Sequence, residues 1–143
     1  IYDSSRLKQI ASVLKLLGAR QAFVVHGSDG LDEITLTGTT NVCELVNGQV
    51  KEYTLEPENF ELTACKAKDI SGGTPEENAN IIKNILSGEQ GPKSDIVLMN
   101  ASAAICAGGI AENLKVAMHL ARQSIDTGSA EKKLNDLRRL SHQ

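Results

Sequence analysis

Residues 22–33, Ala22-Phe23-Val24-Val25-His26-Gly27-Ser28-Asp29-Gly30-Leu31-Asp32-Glu33, decide how the chain is read. The run Ala22 to Val25 is apolar, with β-branched and aromatic side chains, and a short run of that kind ending at a Gly-rich turn predicts a buried strand. The loop that follows leaves the strand at its carboxyl end, the edge at which open α/β sheets bind ligands. Gly27 and Gly30 allow positive φ or a close backbone approach, so the loop can double back and aim its side chains into one space. Asp32 and Glu33 are adjacent carboxylates, which repel unless they are solvated, protonated or bridged by a cation. From the residues alone they are either a solvated acidic turn or a pair of hard oxygen donors suited to Mg²⁺, which fills its shell with water and substrate phosphates.

Upstream of the strand, Leu7, Ile10, Ala11, Leu14 and Leu17 recur at helical spacing, with Asp3 or Ser4 as N-cap and Gly18 as the stop. A helix followed at once by an apolar strand is half of an α/β unit. Downstream, Ile34 with Leu36, and then Val42 to Val46, read as two further extended runs. Asn47-Gly48 separates the second of these from Gln49 to Leu55, and that dipeptide is a strong hairpin signal because both residues tolerate positive φ. The prediction is an α/β fold: a mixed sheet with a β-hairpin, covered by five helices.

Pro57 blocks extension of the hairpin, and Phe60 is expected to anchor the irregular segment that reaches Asp69. Thr74-Pro75-Glu76-Glu77 has an N-cap, a proline at the first helical position and a capping-box glutamate. The helix it opens is expected to turn Ala79, Ile82, Ile85 and Leu86 inward. Gly72-Gly73 before a helix also resembles a phosphate cradle. The capping reading is preferred, because Glu76 and Glu77 put negative charge where a phosphate would sit.

Ser94 to Cys106 is apolar on nearly every side and rich in alanine, which predicts a buried helix in which Asn100 and Ser102 must find hydrogen-bond partners. Asn100 is read as structural on that ground. After Gly108-Gly109, the stripe Ala111, Leu114, Met118, Ala121 and Ile125 predicts another helix ending at Gly128. Ser129 starts a last one, with Ala130, Leu134 and Leu137 on its apolar face and Lys132, Lys133, Arg138 and Arg139 on a solvated one. His119 and His142 have no partner at metal-ligand spacing.

Composition narrows the function classes. The chain has 143 residues, enough for one domain with a real core, and 41% hydrophobic against 23% charged residues marks it as globular. A net charge of −3 and 3% aromatics supply neither a basic footprint nor stacking platforms, so nucleic acid is not expected as a partner. Cys43, Cys65 and Cys106 show no C-x-x-C spacing and read as reduced thiols of a cytoplasmic protein. No apolar run approaches the roughly 20 residues of a membrane span, and no signal peptide is visible. The first residue is Ile1, which suggests a processed product or a fragment.

In order and wording, the segments resemble the carboxyl-terminal part of the anthranilate phosphoribosyltransferase family. The likeness runs through Val24-Val25-His26-Gly27, Gly30-Leu31-Asp32-Glu33-Ile34, Pro57-Glu58-Asn59-Phe60, Gly72-Gly73 with Glu77-Asn78-Ala79, Asn100-Ala101-Ser102-Ala103-Ala104, and Ala121 with Ile125-Asp126-Thr127-Gly128. It covers essentially the whole of residues 1–143, read as the carboxyl-terminal part of an α/β catalytic domain of the nucleoside phosphorylase/phosphoribosyltransferase type.

The resemblance implies transfer of the phosphoribosyl group of phosphoribosyl pyrophosphate (PRPP) to anthranilate, with release of pyrophosphate, in tryptophan biosynthesis. It implies that Asp32 and Glu33 bind Mg²⁺, which holds the pyrophosphate, and that the full-length enzyme is a homodimer. The family's Gly-Thr-Gly-Gly-Asp loop, its Lys-His-Gly-Asn segment and the Arg-bearing stretch that contacts anthranilate do not occur here, and the resemblance places all three upstream. No acceptor-binding or catalytic residue is therefore assigned. A related phosphorylase or transferase with another acceptor, and a non-catalytic α/β module, stand as alternatives.

Overall fold

The computed structural model describes residues 1–141. A 3₁₀ turn at Ser4–Arg6, capped by the Asp3 carboxylate on the Ser5 N–H, leads into α1 (Leu7–Leu16). Strand β1 (Gln21–Gly27) follows, then β2 (Thr40–Val46) and β3 (Gln49–Leu55). A second 3₁₀ turn at Pro57–Phe60 precedes α2 (Ala67–Ile70), α3 (Pro75–Leu86), α4 (Pro92–Ala107), α5 (Leu114–Asp126) and α6 (Ser129–Ser141).

The α/β class holds, with a hairpin and helices over the sheet. Where the sequence predicts a mixed sheet, however, the three described strands, in the order β1-β2-β3, are antiparallel throughout. The reason lies between β1 and β2: residues 28–39 contain no helix, and a parallel return needs a crossover of a dozen or more residues, usually helical. The chain instead folds back so that Gly27 pairs with Thr40. At the hairpin, Asn47 and Gly48 take φ of 51° and 72°, the two positive values a twisted two-residue turn requires.

Alternation along the strands sends side chains to two helical layers. Val24 and Cys43 meet Leu7 and Ala11 of α1 on one face. Phe23, Val25, Val42 and Leu55 point to the other, where Met99 and Ala103 of α4 close the larger core together with Ile34, Leu36 and Phe60. Phe60 is the expected anchor. Beyond α4, Leu98 packs with Ile85, Ala121 and Ile125 of α3 and α5, so α4 is gripped from two sides.

Four local expectations need correction. Ile34 and Leu36 do not form a strand; they are buried at 1% exposure each in irregular backbone held by side chains. The segment expected to be irregular up to Asp69 contains the one-turn helix α2, because the Asp69 carboxylate accepts from the Lys66 N–H. On α3, Ile85 is buried, but Ala79 and Ile82 are exposed, since the helix leans on α4 through Ile81, Ile85 and Leu86. Leu137 of α6 is likewise exposed, while Ala130 and Leu134 are half-buried. His142 lies outside the described residues. Among the described residues, no helix is long and apolar enough to cross a membrane.

Candidate functional site

The loop between β1 and β2 is built around one carboxylate, and it is not one of the two singled out from the sequence. Asp29 Oδ2 accepts from the hydroxyls of Thr35 at 2.6 Å and Thr37 at 2.5 Å, while Oδ1 accepts from the Leu31 N–H at 3.1 Å. Burial raises the Asp29 pKa, but the Thr35, Thr37 and backbone hydrogen bonds outweigh it and hold the group below its ordinary value. Backbone bonds close the turn: the Gly27 N–H donates to the Leu31 carbonyl at 2.8 Å, and the Gly30 N–H to the Gly27 carbonyl at 2.9 Å. Gly27 is required here, because a Cβ at that position would sit 2.6 Å from Asp29 Oδ1 and 3.0 Å from Thr35 Cβ.

A second set of bonds ties the far side of the loop to the helical layer. Thr35 is fully buried, and its N–H donates to Thr40 Oγ1 at 3.0 Å. The Ile34 N–H donates to Asn100 Oδ1 at 2.9 Å, and Asn100 Nδ2 donates to the Ile34 carbonyl at 2.9 Å. On the near side, residue 1 lies against the loop, its nitrogen 2.7 Å from the Val25 carbonyl and 3.0 Å from the Asp32 carbonyl. His26 Nδ1 lies 2.8 Å from the Ile1 carbonyl, which can only accept, so the ring donates there. That bond makes His26 a tether between Ile1 and β1.

Between these anchors Asp32 and Glu33 stand exposed, and among the described residues neither carboxylate makes an ion pair or side-chain hydrogen bond. Among the described residues there is also no group of three or more His, Cys, Asp or Glu able to enclose a metal. Two hard, unengaged oxygen donors on a fixed backbone do not form a closed cage. They do fit a cation that takes one or two protein carboxylates and completes its shell with water and a phosphorylated ligand, which is how Mg²⁺ is usually held.

The other candidates resolve into structure. At the start of α3 the Thr74 N–H donates to Glu77 Oε2 at 2.7 Å, the Glu77 N–H to Thr74 Oγ1 at 3.3 Å, and the Gly73 N–H to Asn78 Oδ1 at 2.8 Å. Three donors at this helix start, the N–H groups of Gly73, Thr74 and Glu77, are taken by the segment's own side chains, and Glu76 and Glu77 add negative charge there, so the capping reading stands. His119 lines a 400 Å³ cavity with Phe60, Leu62 and Met118. The cations on its rim are engaged, Lys115 with Glu61 and Arg122 with Asp95. Cys43, Cys65 and Cys106 are free thiols whose pKa burial pushes up, so none is an activated nucleophile.

Comparison with known proteins shows the family of the chain. The model of the "Glycosyl transferase family, a/b domain" matches residues 1–131. Anthranilate phosphoribosyltransferase from Desulfosudis oleivorans is 50% identical over 138 residues, covering 96% of this chain and 41% of the relative. The enzyme from Desulfatibacillum aliphaticivorans is 47% identical over 137 residues, covering 96% and 40%. Among solved structures, anthranilate phosphoribosyltransferase from Thermus thermophilus superposes with a TM-score of 0.85 at 36% identity, over 94% of this chain and 40% of that one. The Saccharomyces cerevisiae enzyme in complex with PRPP and Mg gives 0.82 at 29% identity, over 94% and 39%. The chain thus spans about 40% of the length of the curated relatives it matches.

Proposed function

The chain belongs to the glycosyl transferase family, a/b domain, and from that premise we propose that it is the carboxyl-terminal part of a cytoplasmic anthranilate phosphoribosyltransferase, which moves the phosphoribosyl group of PRPP to anthranilate and releases pyrophosphate in tryptophan biosynthesis. The observation that carries the reading is the acidic loop: two exposed, unengaged carboxylates, Asp32 and Glu33, on a backbone held at the next residue, Ile34, by the Asn100 amide. The solved relative in complex with PRPP and Mg supports the choice of ligand.

The chemistry asks little of this part of the protein except charge and position. The bond from the anomeric carbon to a pyrophosphate oxygen breaks, a bond to the amino nitrogen of anthranilate forms, and negative charge collects on the departing pyrophosphate. Mg²⁺, when bound, neutralises that charge. Asp32 and Glu33 would hold it, Asp29 keeps the loop folded with Thr35 and Thr37, and Gly27 lets that packing close. Contacts to the diphosphate and to anthranilate fall, in this reading, to the part of the relatives that lies beyond this chain, as does the homodimer contact.

The test is made in the full-length enzyme. Asp32→Asn and Glu33→Gln are expected to raise the Mg²⁺ concentration for half-maximal activity and to weaken PRPP binding, with the fold intact by circular dichroism. Normal Mg²⁺ dependence in both variants would overturn the metal assignment.

A further inference from the structure

We propose that Asn100, in the middle of α4, is a positioning residue for the acidic loop: its side-chain amide fixes the backbone next to Glu33 and thereby sets where the Asp32 and Glu33 carboxylates stand. The inference rests on the metal reading of those two residues given above.

The geometry is that of a strand partner built from one side chain. Asn100 Oδ1 accepts from the Ile34 N–H at 2.9 Å while Nδ2 donates to the carbonyl of the same residue at 2.9 Å, across 66 residues of sequence. Pairing both backbone groups of one residue requires a donor and an acceptor in a single planar group, which among side chains the carboxamide supplies. Nδ2 also donates to the Ile96 carbonyl one turn earlier on α4, at 3.0 Å. Flipping the amide would set its oxygen against two carbonyls and its NH₂ against an N–H, so the three bonds fix its orientation.

The platform is rigid as well. Met99 and Ser102 of α4 are fully buried, and Ser102 Oγ donates to the Met99 carbonyl at 2.6 Å. Ile34 is already buried at 1% exposure by its side chain, so its place in the core does not depend on Asn100. What the clamp adds is rotation: it fixes the orientation of the Ile34 backbone and hence of the peptide joining it to Glu33. Side chains that orient metal-binding groups from behind are typically worth about 10- to 100-fold in metal affinity.

The experiment uses the full-length enzyme with Asn100→Leu, which keeps the size and removes all three bonds, and Asn100→Ala. Mn²⁺ binding in the presence of PRPP is followed by electron paramagnetic resonance, PRPP binding by calorimetry, and the KM for anthranilate by fluorescence. The expected result is about tenfold weaker Mn²⁺ and PRPP binding, with the anthranilate KM within about twofold of the unmodified enzyme, since this chain's loop serves the metal and not the acceptor. Mn²⁺ and PRPP affinities within twofold of the unmodified enzyme, in variants whose Ile34 amide exchanges faster, would overturn the proposal.

If neither variant folds, hydrogen exchange on the unmodified enzyme decides. Coupling is reciprocal, so Mg²⁺ with PRPP must slow exchange of the Ile34 amide more than that of Cys43 in the sheet. Equal slowing at both positions refutes the positioning role. Asp32→Asn and Glu33→Gln run alongside: intact Mn²⁺ binding in those two variants overturns the metal reading itself, whereas its loss there with no loss at Asn100 overturns this inference alone.

Discussion

Removing the Asp29 carboxylate tests whether the acidic loop is an organised structure or a chance acidic turn. The perturbation is Asp29→Asn, which keeps one acceptor oxygen and removes the charge, with Asp29→Ala as the full deletion. In the structure the carboxylate accepts two hydroxyl bonds at 2.6 and 2.5 Å and one amide bond at 3.1 Å. Hydrogen bonds to a charged group are worth about 1.5–3 kcal/mol each when shielded. Asp29 is largely exposed, so screening and water competition bring the whole set down to about 1–2 kcal/mol. The alanine variant should sit at the upper end, because it leaves the buried Thr35 hydroxyl, which also accepts from the Thr37 N–H at 3.0 Å, with only Thr37 Oγ1 at 3.2 Å to donate to. Since the folded-state pKa of Asp29 lies below its unfolded value, the stabilisation is full above the unfolded pKa and is lost as pH falls through the lower, folded one. Equilibrium urea unfolding of the protein carrying this chain, at pH 7 and again at about pH 3, should show a gap between parent and Asp29→Asn that narrows on acidification. A gap of the same size at both pH values, or none at pH 7, would refute the reasoning.

Leu98 is 1% exposed between α3 and α5, and Leu98→Ala should cost about 2–5 kcal/mol in urea unfolding, the usual penalty for a core cavity. Thr74→Ala removes the N-cap of α3 and should cost about 1 kcal/mol in the same measurement. Its PRPP affinity by calorimetry should be unchanged, because Glu76 and Glu77 put negative charge at that helix end. Residues 1–143 purified alone should not make phosphoribosyl anthranilate in an anthranilate-fluorescence assay: on the proposed reading the diphosphate and acceptor contacts belong to the rest of the full-length enzyme, and two carboxylates by themselves hold Mg²⁺ weakly. Turnover within tenfold of the full-length enzyme would place the active site among residues assigned here to the core.

Local signals in the sequence were sufficient wherever the structure is held by neighbours along the chain. Thr74, Pro75 and Glu77 lie within one helical turn, and the capping bonds they imply form as read. Asn47-Gly48 sets its own turn through two positive φ values, and the register of β2 against β3 follows from it. The misreadings arise where a distant contact decides. Ile34-Thr35-Leu36 has the alternation of a strand, yet its backbone is paired by Asn100, Thr40 and the Cys65 N–H instead of by a neighbouring strand. Ala79 and Ile82 fit an apolar stripe on α3, but α4 meets that helix through Ile81 and Ile85, a face centred about 80° around the axis from Ile82 and about 140° from Ala79.

The acidic loop divides in the same way. Asp32 and Glu33 could be singled out because like charges side by side demand an explanation, and Gly27 because glycine permits a close backbone approach, which the structure shows to be that of Asp29 and Thr35. Asp29 carries no such mark: an aspartate between serine and glycine is ordinary turn chemistry, and its partners Thr35 and Thr37 become visible only once the loop has closed on them. The sequence reads Asn100 as a polar group in a buried helix that must find partners, and so as structural; in the structure it is half-buried, and which partners it finds is a tertiary fact. An asparagine inside an apolar helix says that something must be paired there. That it pairs the residue next to Glu33, 66 positions earlier, is what turns a rule about buried polar groups into a claim about how the proposed metal-binding loop is aimed.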